Sequence, residues 1–153
     1  MNVVTSCPIL SKINKVICEM SKLIVTSNTA PTTGFTDKAT PSPLAQGIQW
    51  QNMLFLSGQA ALDPETREIV STDIQEQTVQ TLQNLEGVLK EAGATFENVV
   101  NMRVCLRDVS DFPRFNQAFT EYLSGEKVTR TCIGGIPHRA GVNVEIDCIA
   151  MLD

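Results

Sequence analysis

The stretch that decides the fold is residues 142–150, VNVEIDCIA, together with residues 129–132, TRTC. In the longer segment, apolar side chains alternate with Asn143, Glu145 and Asp147, which is the two-residue period of a strand that buries one face. The shorter segment is a β-branched run that carries a single arginine, Arg130. A strand arginine near strand carboxylates forms either a salt bridge or a fork for an anionic ligand, and the pattern leaves both interpretations open.

The composition is typical of one globular domain. The chain has 153 residues, of which 42% are hydrophobic and 19% charged, and its apolar runs fall short of the ~20 residues that cross a bilayer. The formal net charge of −5 argues against tight nonspecific binding to nucleic acid. The five cysteines are widely spread without a Cys-x-x-Cys pair. This favours reduced thiols in a cytoplasmic protein over a disulfide framework or a zinc site.

The chain is predicted to consist of an N-terminal extension, residues 1–20, and a single domain, residues 21–153. Within the extension, an apolar pattern at Ile9, Ile13, Val16 and Ile17 could form one helical face, and the features of a secretory signal are missing. We expect a disordered or docked tail, with an organelle-targeting peptide as the alternative.

The central elements follow a strand, helix, strand, helix order. Residues 44–50 and 53–57 flank Gln51-Asn52 and predict a hairpin, and Gly58 at its end predicts a β-bulge. A helix is predicted from Asp73, which would form a capping box with Glu76, to a C-terminal glycine at Gly93.

The second strand and the second helix of this order predict how the domain is layered. In residues 99–107, the pattern places Val100 on the same side as Met102, Val104 and Leu106, and a right-handed βαβ crossover is expected to pair this strand with the one before the helix. A second helix begins near Asp111, and its phenylalanines form an apolar stripe for core packing. Two helices on one sheet face predict a two-layer α+β sandwich, whose bare face oligomerisation would bury.

Five short motifs carry a family resemblance. They are Gln46-Gly47, Ser57-Gly58-Gln59, residues 108–116, Arg130-Thr131-Cys132, and residues 144–147 ahead of Ile149-Ala150. In this order they resemble the RidA/YjgF family of reactive-intermediate deaminases. The resemblance implies a chorismate-mutase-like fold and a homotrimer with a central barrel and active-site clefts between subunits. It also implies hydrolysis of 2-enamine or 2-imino acids, such as 2-aminoacrylate and 2-iminobutanoate, to 2-oxo acids and ammonia, with neither metal nor cofactor.

The resemblance also assigns roles to residues. Arg130 would bind the substrate carboxylate, and Glu145 would orient or deprotonate the attacking water. Gly58 would contribute a backbone N–H and Cys132 a backbone carbonyl, while Asn116 would lie at the cleft.

Two departures from the family pattern bear on substrate preference. Leu44 stands in the cleft position where many members have a tyrosine, so an aromatic wall or hydroxyl is absent. Residues 133–141, IGGIPHRAG, replace a Val-x-Val-Ala-x-Leu-Pro type of run.

Each assignment has a plainer rival. Arg130 could pair with Glu145 or Asp147 in a structural ion pair, and His138, the single histidine, is typical of a surface loop rather than of a general base. Two other functions stay open. One is a noncatalytic small-carboxylate-binding regulatory or interaction protein of the same fold. The other is an endoribonuclease or translation inhibitor, which the acidic charge balance disfavours.

Overall fold

The structure is a computed structural model that describes residues 21–31 and 43–152. The predicted extension over residues 1–20 lies outside this part of the chain. The elements are β1 (Leu23–Val25), β2 (Gly47–Trp50), β3 (Met53–Ala60), α1 (Ile74–Glu91), β4 (Val99–Leu106), α2 (Phe112–Leu123), β5 (Thr129–Gly134) and β6 (Val144–Met151). Neither described helix is long and apolar enough to span a membrane.

The strands form one six-stranded sheet in the order β1-β2-β3-β6-β4-β5. β4 and β5 are parallel, and every other pair is antiparallel. A single core joins one face of the sheet to both helices. Its fully buried side chains, at 0% exposure, include Leu82 and Leu85 from α1, Phe115 from α2, and Met102 and Ile146 from the sheet. The predicted α+β fold, a mixed sheet with two helices on one face, is confirmed.

The pairing of β4 differs from the prediction. β4 does not pair with β3, the strand before α1, because β6 lies between them and is antiparallel to both. β4 instead pairs in parallel with β5, the strand that follows α2. The last strand is therefore central, because its alternating apolar residues are buried beneath the helices in the middle of the sheet.

Two register shifts orient side chains on the sheet. The pairing of β3 with β6 shifts between Leu56 and Gln59, so the bulge predicted at Gly58 is confirmed. A second shift, between Val99 and Asn101, was not predicted. It buries Val99 and turns Val100 outward, so the prediction that Val100 shares the buried side of β4 is wrong.

Local hydrogen bonds account for the helix ends. The Asp73 carboxylate accepts from the N–H groups of Gln75 and Glu76 and caps α1. The Asp73 N–H donates to the Ser71 hydroxyl, so the reciprocal bond of the predicted capping box is absent. α1 ends before Gly93, whose φ of +73° suits glycine at this position.

The face of the sheet without helices is divided into two parts. Cross-strand neighbours Ile24, Ile48, Phe55 and Ile149 form an apolar row, and Ile24 and Phe55 are 69% and 41% exposed. The same row continues into polar residues on β4 and β5, beside the ion pair between Arg103 and Asp147. This face therefore has an exposed apolar half and a polar half.

Candidate active site

The packing of α2 determines the position of Arg130. Arg130 lies on β5 beside the buried Met102, so its side chain is on the helix-covered face. The guanidinium carbon lies 4.7 Å from the ring centre of Phe119, 5.4 Å from that of Phe115 and 5.6 Å from that of Phe112. Rings at these distances attract a cation and restrict its rotamers. The phenylalanine stripe of α2 thus packs the core and also forms the wall behind Arg130.

Asn116 completes the surroundings of Arg130. Arg130 Nη2 donates to Asn116 Oδ1 at 2.8 Å. Both residues line a surface cleft of about 370 Å³ between α2 and the segment that leads into β5. Cys132 lies two residues further along β5 on the same face, where burial raises the pKa of its thiol against the opposing effect of Arg130. The structure therefore does not favour Cys132 as a thiolate nucleophile. We call Arg130, Asn116 and Cys132 the arginine side.

Glu145 lies on the opposite face of the sheet. Its cross-strand neighbours are Cys105 on β4 and Ala60 on β3. A Cβ built at Gly58 would lie 3.1 Å from Glu145 Cδ and 3.2 Å from Cγ, and closer still to Oε1. The bulge therefore brings bare backbone against the carboxylate, and a side chain at Gly58 would displace the carboxylate from this position.

His138 reaches Glu145 from the loop between β5 and β6. His138 Nδ1 lies 3.9 Å from Glu145 Oε2, and the two side chains are 69% and 33% exposed. We call Glu145, Gly58 and His138 the glutamate side. Leu44 is 58% exposed and precedes Ala45, whose carbonyl accepts from the Ser57 hydroxyl next to Gly58.

The structural ion pair considered for Arg130 is absent. Among the described residues, Arg130 forms no ion pair with a carboxylate, and Asp147 pairs with Arg103 at 2.9 Å instead. The sheet itself separates Arg130 from Glu145, because they project from opposite faces. One chain thus brings together the residues of the arginine side and those of the glutamate side, but does not join the two sides.

Sequence reasoning missed two contributions to these sides. The phenylalanine spacing on α2 was sufficient to find the helix, but it could not show that the same rings lie behind Arg130. His138 is an exposed loop residue, as its sequence surroundings predict, but nothing in that local sequence indicates that the loop returns over β6.

Comparisons with known proteins agree with this fold. The endoribonuclease L-PSP family matches residues 36–152. A RutC family protein of Pyrococcus abyssi is 39% identical over 119 residues, which cover 76% of this chain and 93% of that protein. The mouse 2-iminobutanoate/2-iminopropanoate deaminase is 35% identical over 111 residues, covering 71% of this chain and 81% of that protein. The crystal structure of Escherichia coli TdcF with bound serine has a TM-score of 0.75 at 27% identity and covers 86% of this chain and 99% of that one.

An α+β sandwich with two helices on one sheet face, matched over most of its length, defines the class of protein. The chain belongs to the endoribonuclease L-PSP family, also called the RidA/YjgF family.

Proposed function

We propose that the chain hydrolyses 2-imino acids, and the 2-enamine acids that tautomerise to them, to 2-oxo acids and ammonia. Reactive three- and four-carbon compounds such as 2-aminoacrylate and 2-iminobutanoate are the proposed substrates. The names of relatives support this proposal, since the mouse deaminase and the chloroplastic Reactive Intermediate Deaminase A of Arabidopsis thaliana both match this chain.

The environment of Arg130 is the observation that carries the proposal. A guanidinium has five N–H donors, and the bond that the structure gives to Arg130 within the described residues engages Nη2 with Asn116. The neighbouring phenylalanine rings accept no strong hydrogen bond. Donors therefore remain for a planar carboxylate, which a guanidinium binds through two parallel N–H···O bonds.

Glu145 is the proposed general base. Its carboxylate would take a proton from water as the water oxygen attacks the imine carbon, and would then return that proton to nitrogen in the tetrahedral intermediate. Glu145 would then take the remaining hydroxyl proton and pass it to the amino nitrogen as the C–N bond breaks, which forms the 2-oxo group, releases ammonia and restores the carboxylate. The backbone N–H of Gly58 and the carbonyl of Cys132 would orient substrate and water.

The separation of the two sides has a consequence for assembly. A small 2-imino acid cannot contact Arg130 and Glu145 of one chain through an intact sheet. We therefore propose a homotrimer in which the arginine side of one copy meets the glutamate side of the next. The apolar row on the bare sheet face supports such an association.

A conservative substitution tests the proposal. 2-Iminobutanoate is generated with an amino-acid oxidase, and its decay is followed with and without the protein. Arg130→Lys keeps a positive charge but removes the two parallel N–H donors that bind a carboxylate. We therefore expect kcat/KM to fall by about 10- to 100-fold. Arg114→Lys is the matched control, because Arg114 pairs with Asp73 on the outer surface of the helices. Equal activity in the wild type and Arg130→Lys would contradict the proposal.

A noncatalytic carboxylate-binding protein is the second candidate. The serine bound to TdcF is a small carboxylate, and in this chain Leu44 is exposed where many members have an aromatic residue. Binding of 2-oxobutanoate that Arg130→Lys abolishes, with unchanged imine decay, would favour this candidate. RNA cleavage that survives Arg130→Lys would instead assign the endoribonuclease name of the family to another surface.

A further inference from the structure

We infer that His138 is a positioning residue for Glu145, so that a histidine–glutamate pair, rather than a lone carboxylate, activates the water. The inference rests on the proposed function and assigns a role to the loop in which this chain departs from the family pattern. His138 is the single histidine of the chain, and its Nδ1 lies 3.9 Å from Glu145 Oε2.

The path of the loop explains how His138 comes to lie over β6. After β5 ends at Gly134, the Gly135 N–H donates to the Leu106 carbonyl. A Cβ at Gly135 would lie 2.9 Å from the Cys105 sulfur, so glycine lets the chain pass close to β4. Pro137 is buried, and the Arg139 carbonyl accepts from Arg107 Nη2 at 3.1 Å. These contacts fix the loop on both sides of His138.

The two carboxylate oxygens of Glu145 have different neighbours. Oε1 faces the backbone of Gly58, and Oε2 faces the imidazole. An imidazole N–H directed at Oε2 would fix the carboxylate plane and leave Oε1 to accept from water. The 3.9 Å separation is too long for a hydrogen bond, but catalytic hydrogen bonds are often long until substrate binds.

Charge on the imidazole would change the strength of Glu145 as a base. A protonated His138 stabilises the carboxylate anion and makes it a weaker base, so the catalysed rate should rise as His138 loses its proton. The other groups that face Glu145 are few in the described structure. Cys105 on β4 is a thiol whose pKa is raised by burial and by Glu145, and Arg107 acts on the same thiol in the opposite direction. Asp147, the next acid on this face of β6, is paired with Arg103.

A titration of the single histidine tests the pair without using activity. The imidazole resonances of the full chain are followed by NMR between pH 5 and 8 in the wild type and in Glu145→Gln. Loss of a neighbouring carboxylate destabilises the imidazolium, so the midpoint should move to lower pH. Asp147→Asn is the matched control, since it removes a carboxylate from the same face without removing the partner of His138. An unchanged midpoint in Glu145→Gln, or an equal shift in both variants, would overturn the inference.

The pH–rate profile tests the role in the reaction. We expect His138→Gln to lower kcat for 2-iminobutanoate about tenfold, the size of one lost hydrogen bond to a charged group, with little change in KM. We expect the wild-type rate to rise between pH 5 and 8, and this rise should be absent in the variant. Lys90→Gln, which removes an exposed cation from α1 on the helix-covered side of the sheet, should behave like the wild type.

The outcomes separate the two proposals. A wild-type profile and kcat in His138→Gln, together with an active wild type, would refute the positioning role and leave the deaminase function standing. A wild type that does not accelerate imine decay would remove the proposed function and, with it, the positioning role, even if the NMR titration shows that the two side chains interact.

Discussion

The arginine side and the glutamate side are built in different ways. Arg130 is placed by side chains, because three rings of α2 and the amide of Asn116 surround its guanidinium. Glu145 is placed by backbone, because a bulge at Gly58 and a loop carrying His138 approach its carboxylate. The arginine side is therefore an extension of the core, and its geometry should change when the core changes. The glutamate side depends on local chain conformation and should respond to backbone changes that leave the core intact.

Phe115→Ala should give the largest effect. Phe115 is fully buried, so its truncation is expected to cost about 3–5 kcal/mol of unfolding free energy and to loosen Arg130 as well. Phe112→Ala is the control, because Phe112 lies at nearly the same distance from the guanidinium but is 39% exposed. Urea denaturation would measure both. Similar losses in the two variants would refute the idea that the core supports Arg130.

Gly58→Ala should have a smaller effect, specific to the glutamate side. The added methyl group would meet the end of the Glu145 side chain, which is 33% exposed and able to turn aside, so we expect a cost of about 1–2 kcal/mol, in the lower part of the overpacking range. Glu145→Ala removes the atoms that the methyl group meets, so the double variant should recover most of the loss. A double-mutant cycle in urea gives the coupling directly, and additive losses would contradict the steric explanation.

Asn116→Ala tests how much the hydrogen bond on the arginine side contributes to activity. This substitution removes the 2.8 Å hydrogen bond to Arg130 while leaving the rings in place. We expect kcat/KM for 2-iminobutanoate to fall about tenfold, since a hydrogen bond to a charged group contributes about 1.5 kcal/mol or more. Gln117→Ala, at the exposed neighbouring position, should leave kcat/KM unchanged. A stability loss without a kinetic effect would show that Asn116 acts only in folding.

Asp147→Asn should give the smallest effect. It breaks the pair with Arg103, whose side chain is 72% exposed, and exposed pairs contribute about 0.2–1 kcal/mol. Salt should reduce the difference further, because ions screen exposed charges. Thermal unfolding at low and high ionic strength would show this, and a large loss that does not depend on salt would mean that the pair is buried in an assembly.

The periodicity of the sequence was sufficient to predict most elements. The alternation in β6 and the helical repeats of α1 and α2 are local patterns, and Gly58 is a residue type that marks bulges, so these predictions are confirmed. The position of β6 between β3 and β4 was not predictable in the same way. It depends on pairing between residues distant in the chain, which a period cannot report.

The candidate site shows the same limit. A two-residue period states which side chains share a face within one strand, but it does not relate the faces of two strands. The sequence therefore placed Glu145 and Asp147 together correctly, yet suggested that Arg130 could pair with them, which the structure excludes within one chain. Val100 was placed on the wrong face for a related reason. The register shift beside it has no glycine or proline to indicate it.

The close approach of Gly58 to Glu145 links two positions that are 87 residues apart. If the glycine is replaced first, the acid must be lost or turned away, or the bulge must change. If the acid is shortened first, the glycine can be replaced without this clash. The order of such changes is thus constrained by the geometry. Related chains can accordingly be sorted by examining both positions jointly, as those that retain a place for an acid at this bend and those that have closed it.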